Sequence, residues 1–220
     1  MNFKNLVAAS LVLLFAASAR SQVSAGVSVT DDGLKSFYLA IGQTYHVPER
    51  EIVVVRDRHI PDEEIPVVYF IARRAHVRPA AIVDLRLRGQ SWMDITLHYG
   101  LSPEIFYVAY DGDPGPIYSR PYGFYRSHPR GEWRKIRLSD DDVCNMVNLR
   151  FVSSYYKVRP NEVVRLRGEQ GNFVKVTRYY SSPEYKSKKV AVVKVKDQDN
   201  HRGKGHGNGN GNSHGNKHRD

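Results

Sequence analysis

Phe70-IARRAHVRP79-AAIVDLRLRG89-QSWMDITLHYGLSPE104 and Phe151-VSSYYKVRP160-NEVVRLRG168-EQGNFVKVTRYYSSPE184 read as two copies of one unit. Val-Arg-Pro, Arg-Leu-Arg-Gly, an aromatic residue leading to Ile/Val-Thr, and Ser-Pro-Glu recur in the same order. Pro79 and Pro160 stand 81 residues apart, as do Trp92 and Phe173, and Pro103 and Pro183 stand 80 apart. The Arg-Leu-Arg-Gly stretches are offset by 79, which predicts a small local insertion between the copies. A partial copy precedes both: Leu39-AIGQTYHVP48-EREIVVVR56 has the same order of apolar helix, Val-Pro, and second helix rich in Val and Arg. Internal repetition of this length is the signature of a helical array, whose end units are often atypical because they cap the core.

Each full unit decodes as three helices, so the fold class is all-α. Pro61-Asp-Glu-Glu64 opens the first helix of copy one, with proline in the first turn and carboxylates at the positive end of the dipole. Ser139-Asp-Asp-Asp142 opens copy two as a capping box. Val67, Phe70, Ile71 and Arg74, and likewise Val143, Met146, Val147 and Phe151, fall on one helical face. Pro79 and Pro160 start the second helices, and Gly89 and Gly168 are expected to stop them in a left-handed cap. Ser91 with Asp94 caps a third helix carrying Trp92, whose counterpart in copy two is Phe173.

The expected organisation is a signal peptide over 1–25 and a half repeat over 32–58. Repeat one follows over 61–106, a Tyr/Pro/Gly-rich connecting loop over 107–131, repeat two over 133–185, and a disordered tail over 197–220. Lys4 precedes the apolar run Leu6–Ala17, and small residues then satisfy the signal-peptidase spacing, giving cleavage after Ala19 or Ala25. The run is 12 residues, short of the about 20 that span a bilayer. This places the protein outside the cytoplasm, periplasmic or extracellular, with no transmembrane segment after cleavage. Removal of Lys4 and Arg20 with the leader lowers the net charge from +10 to +8. A lone Cys144 excludes an intramolecular disulfide, so packing must supply the stability.

Several segments invite a functional reading. Arg73, Arg74, Arg86, Arg88, Arg165 and Arg167 lie near helix carboxyl ends, where they suit the dipole and cover the core with their stems. Their recurrence at matched points also makes them candidates for binding an anionic polymer, a lipid headgroup or another envelope protein. The loop carries Tyr107, Tyr110, Tyr118, Tyr122 and Tyr125, which either fasten it across the helices or stack on a ligand. In the tail, His201, His206, His214 and His218 could gather weakly around Zn²⁺, Cu²⁺ or Ni²⁺, and its cations could adhere to anionic surfaces. Arg88–Ser102 resembles the front of a helix-turn-helix. However, Pro103–Val108 offers aliphatic and aromatic groups where base reading needs Arg, Asn, Gln or Lys. Asp111 and Asp113 are not followed by the glutamate of an EF-hand, and no nucleophile–base or metalloprotease motif occurs.

The pattern V-x-P…R-x-x-G-x-S-W-x-x-I…G-L-S-P-E with a Lys/Gly/His/Asn tail resembles a group of exported bacterial helical-repeat proteins of no known activity. The likeness covers residues 32–185 through the motifs and the tail through its composition. Copy two departs from the pattern at Phe173 and Ser181. The resemblance carries no activity and no catalytic residues, and implies export and helical repetition only; no cofactor is expected beyond weak metal binding at the tail. The function expected is a non-enzymatic binding or scaffold protein for an anionic envelope or matrix component. Metal buffering by the tail is the alternative, and nucleic-acid binding a disfavoured one.

Overall fold

A computed structural model describes residues 32–188, whose regular secondary structure is all helical, with no β-strand among them. The expected signal peptide and the histidine-bearing tail lie outside the described residues. The half repeat is α1 (Asp32–Tyr45) and α2 (Glu49–Asp57). Repeat one is a 3-10 turn (Asp62–Glu64) running into α3 (Ile65–Ala75), then α4 (Pro79–Leu87) and α5 (Trp92–His98). A 3-10 turn (Pro103–Phe106), α6 (Gly115–Ser127) and a further 3-10 turn (Arg130–Lys135) lead to repeat two. That repeat is α7 (Asp140–Tyr156), α8 (Pro160–Gln170) and α9 (Phe173–Ser181).

The local grammar is carried out largely as written. Ser139 and Asp142 form a reciprocal capping box at α7. The Ser91 hydroxyl accepts from the Asp94 N–H at α5, and Pro79 and Pro160 sit in the first turns of α4 and α8. Each first helix ends in the same way. His46, His76 and Lys157 adopt φ of 59°, 57° and 53°. The N–H of the following valine then reaches back to Gly42, Ala72 or Ser153. These are Schellman closures made without glycine, and they align the half repeat with repeat one at a spacing of 30 residues.

Packing departs from a linear array, in which each repeat would touch only its neighbours. The half repeat's α1 lies against α9 at the other end of the chain, while α3 and α7 pair at the centre. Helix α3 is consequently buried on every side from Ile65 to Ala72, not on one stripe. Phe37 of α1 meets Phe151 of α7 edge-on at 5.8 Å, which ties the half repeat to that central pair.

Two expected features are corrected. The segment 107–131 is not a connecting loop, because its middle is α6, with Pro121 inside it. Tyr118, Tyr122 and Tyr125 recur at helical spacing and are buried on one face. The Tyr122 and Tyr125 hydroxyls donate to the Val108 and Pro103 carbonyls, and Tyr125 and Trp133 meet edge to face at 4.9 Å. The dense Pro and Gly content hid this period, although prolines at 114 and 116 suit a helix start.

Gly168 does not cap α8. The helix runs through it to Gln170 and closes on Gly171 at φ 82°. The 79-residue offset is therefore a motif coincidence two residues out of register, and no insertion separates the second helices. Gly168→Ala is expected to raise the unfolding free energy by about 0.5–1 kcal/mol, since an added Cβ there meets nothing within 4 Å. Gly171→Ala should lower it by about 1 kcal/mol, because a Cβ resists the left-handed conformation. Urea unfolding of both variants checks this, and effects of the same sign would refute the placement of the cap.

Candidate functional site

The aligned arginines divide into two groups by their surroundings. At equivalent points of the three second helices stand Arg56, Arg86 and Arg167, each directed at one acidic turn. Arg56 lies 3.7 Å from Asp62. Arg86 grips Glu64 through two contacts of 3.0 Å and Asp140 at 2.5 Å, and Arg167 lies 4.0 Å from Glu63. The guanidinium of Arg86 also packs on Trp92 at 4.6 Å, and that of Arg167 on Phe173 at 5.1 Å. The Trp92 backbone N–H donates to Asp140 and that of Phe173 to Glu63, so each third helix starts on the other repeat or its acidic turn. Burial opposes the charge of Arg86, but the hydrogen bonds it donates to Glu64 and Asp140 prevail and hold its pKa above the usual arginine value.

Arg86 and Arg167, expected as anion-binding candidates, are thus corrected to core ion pairs. Arg165 is paired with Glu169 at 2.6 Å on the exposed face of α8. Arg88 is exposed at the end of α4. Cys144 joins the same interior region, its thiol donating to the Glu63 carbonyl at 3.1 Å. Burial pushes that thiol up, away from the thiolate needed for reactivity.

Only Arg73 and Arg74 of the six reach a common concavity, a cavity of about 510 Å³ lined also by Thr44, Tyr45, Phe70, His76, Arg150, Phe151 and Ser154. They leave the last turn of α3, and Arg150 enters from the middle of α7. No carboxylate lines the cavity. Among the described residues, none lies within ion-pair distance of Arg73, Arg74 or Arg150. Arg73 donates to the Thr44 carbonyl at 3.5 Å.

Arg150 is clamped by its Nη2, which donates to the Ile105 carbonyl at 3.2 Å and to that of Tyr107. Burial and the nearby charge of Arg74 both lower its pKa below the usual arginine value. The guanidinium groups of Arg74 and Arg150 lie 5.4 and 5.8 Å from the Phe70 ring centre. Tyr45 and Phe151 stack at 6.3 Å. Burial raises the Tyr45 phenol, against the pull of Arg150 and Arg73. Two buried polar atoms of the lining, Arg150 Nε and Thr44 Oγ1, have no hydrogen-bond partner.

Sequence reasoning missed Arg150. The available signal was a lone charged residue inside Val143–Val152, a stretch otherwise uncharged and mostly apolar. The helix-turn-helix candidate loses its second helix, because Pro103–Phe106 is a four-residue 3-10 turn with Pro103 and Phe106 buried. Among the described residues no group of three His, Cys, Asp or Glu is placed to hold a metal, and no helix is long and apolar enough to cross a membrane. Comparison with protein-family models, with curated proteins and with solved structures finds no match.

Proposed function

We propose that the protein is an exported, non-enzymatic binding protein that holds an anionic envelope or matrix component in the Arg73–Arg74–Arg150 cavity. One observation carries this reading: three arginines gather at one concave site with no carboxylate to balance them. Like charges at a partly desolvated site repel, and burial first and the charge of Arg74 second lower the Arg150 pKa. Elsewhere in the chain the inward arginines are matched to acids, as at Glu64 and Asp140. An unmatched cationic cluster is the arrangement expected where a ligand brings the counter-charge.

The test is retention on heparin resin at low salt, with release by about 0.3 M as screening takes over. The Arg73→Ala/Arg74→Ala double variant should elute at clearly lower salt than Arg88→Ala/Arg165→Ala, which removes the same charge outside the cavity. Coincident elution of the two variants would show that general basicity, and not the cavity, binds the polymer.

A further inference from the structure

Resting on that reading, the cavity also discriminates among anions. The geometry points to a phosphomonoester on an apolar body as its occupant. Three guanidinium charges without a carboxylate are poorly balanced by a singly charged carboxylate or sulfonate. A phosphomonoester carries about −1.5 to −2 charges at pH 7 and offers three acceptor oxygens. Arginine's planar fork matches such oxygens two at a time.

Arg150 is ready for this role before any ligand arrives. The Ile105 and Tyr107 carbonyls hold its Nη2, and Nη1 has no protein partner among the described residues. A cation clamped in this way loses little rotamer freedom on binding.

The apolar half of the ligand follows from the remaining wall. Tyr45, Phe70 and Phe151 line the cavity beside the arginines, and about 510 Å³ falls in the range of sites for small organic molecules. Inorganic phosphate would fill a small part of it and leave wet the exposed part of that wall, which is chiefly half-buried Tyr45 with the edges of the buried Phe70 and Phe151. An aryl or acyl substituent covers that wall and removes its apolar surface from water. Such a monoester has two sources, a soluble aryl phosphate or a lipid with a terminal phosphate headgroup.

Calorimetry on the full chain at pH 7.5 separates the requirements, using phenyl phosphate, inorganic phosphate and benzenesulfonate. Phenyl phosphate should bind at least about tenfold tighter than either of the others, since each lacks one half of the recognition. Inorganic phosphate binding equally well would overturn the apolar part, and benzenesulfonate binding equally well would overturn the double charge. Both of those results leave the anion-binding reading standing, whereas absence of all three together with no retention on heparin ends both.

Arg74→Gln, an exposed position at a helix end, should weaken phenyl phosphate about tenfold, while Arg88→Gln changes it less than twofold. Equal effects would place the site elsewhere. Vesicles containing phosphatidic acid, compared with phosphatidylglycerol vesicles matched in surface charge, identify the source. Preference for phosphatidic acid, competed by phenyl phosphate, assigns the lipid, and binding of the soluble ester alone assigns the free phosphate.

Discussion

Arg86→Ala should lower the unfolding free energy by about 3 kcal/mol, while Arg165→Ala, drawn from the matching Arg-Leu-Arg-Gly motif, should cost less than about 0.5 kcal/mol. The difference lies in what each side chain leaves behind. The Arg86 side chain is 19 % exposed and is the partner of both Glu64 and Asp140. Its removal strands two carboxylates in a partly desolvated place and uncovers the Trp92 face on which the guanidinium packs at 4.6 Å. Trp92 itself is fully buried, so the loss is transmitted to the start of α5 and to its backbone bond with Asp140. Arg165 is 63 % exposed, and its bond to Glu169 is an i,i+4 pair that water and salt replace at little cost. Urea unfolding of the two variants measures the contrast. A loss of under 1 kcal/mol for Arg86→Ala would mean that the acidic turn is not a junction of the fold.

Alkaline unfolding should be steep. Tyr38, Tyr118, Tyr122 and Tyr125 are at most 2 % exposed, and burial raises the pKa of each above its ordinary value near 10. Tyr69 and Tyr156 are pushed up to about 12, mainly by burial. Above pH 10 the unfolded chain releases phenol protons that the folded chain retains. The unfolded state then binds fewer protons, so stability falls as pH rises. Below pH 10 this contribution is fully present.

Each retained proton costs about 1.4 kcal/mol per pH unit beyond that point. The four fully buried phenols together remove about 5 kcal/mol per unit, comparable with the whole stability of a small domain. Tyrosinate absorbance and far-ultraviolet dichroism should therefore change together within one to two pH units above 10. Gradual ionisation centred on pH 10 with helicity intact would contradict the burial of these rings.

Legibility followed the range of the interactions. The Ser139–Asp142 capping box and the Ser91 cap are contacts over three residues, and the prolines at the starts of α4 and α8 act on their own turn, so residue type and spacing suffice to predict them. The period of 81 residues was visible for the same reason, because it is a property of the string. Tyr118, Tyr122 and Tyr125 were legible in principle, but proline and glycine around them outweighed their spacing. Arg86 and Arg165 show where motif matching misleads: they occupy the same letters, yet the 81-residue period sets Arg167 opposite Arg86, and the packing on Trp92 and Phe173 agrees with the period.

The sequence alone determined that the described chain is all helical, where most of its helices begin, and that a unit is duplicated, since helix propensity and capping are decided within a turn or two. Tertiary structure alone decided that α1 closes onto α9, and that one acidic turn collects an arginine from each repeat. It also decided that Arg73 and Arg74 meet Arg150 at an unbalanced site. The bonds of Arg86 and Phe173 to that acidic turn join residues 22 and 110 positions apart. Whether a given arginine is neutralised or left for a ligand depends on which carboxylates the packing brings within a few ångströms.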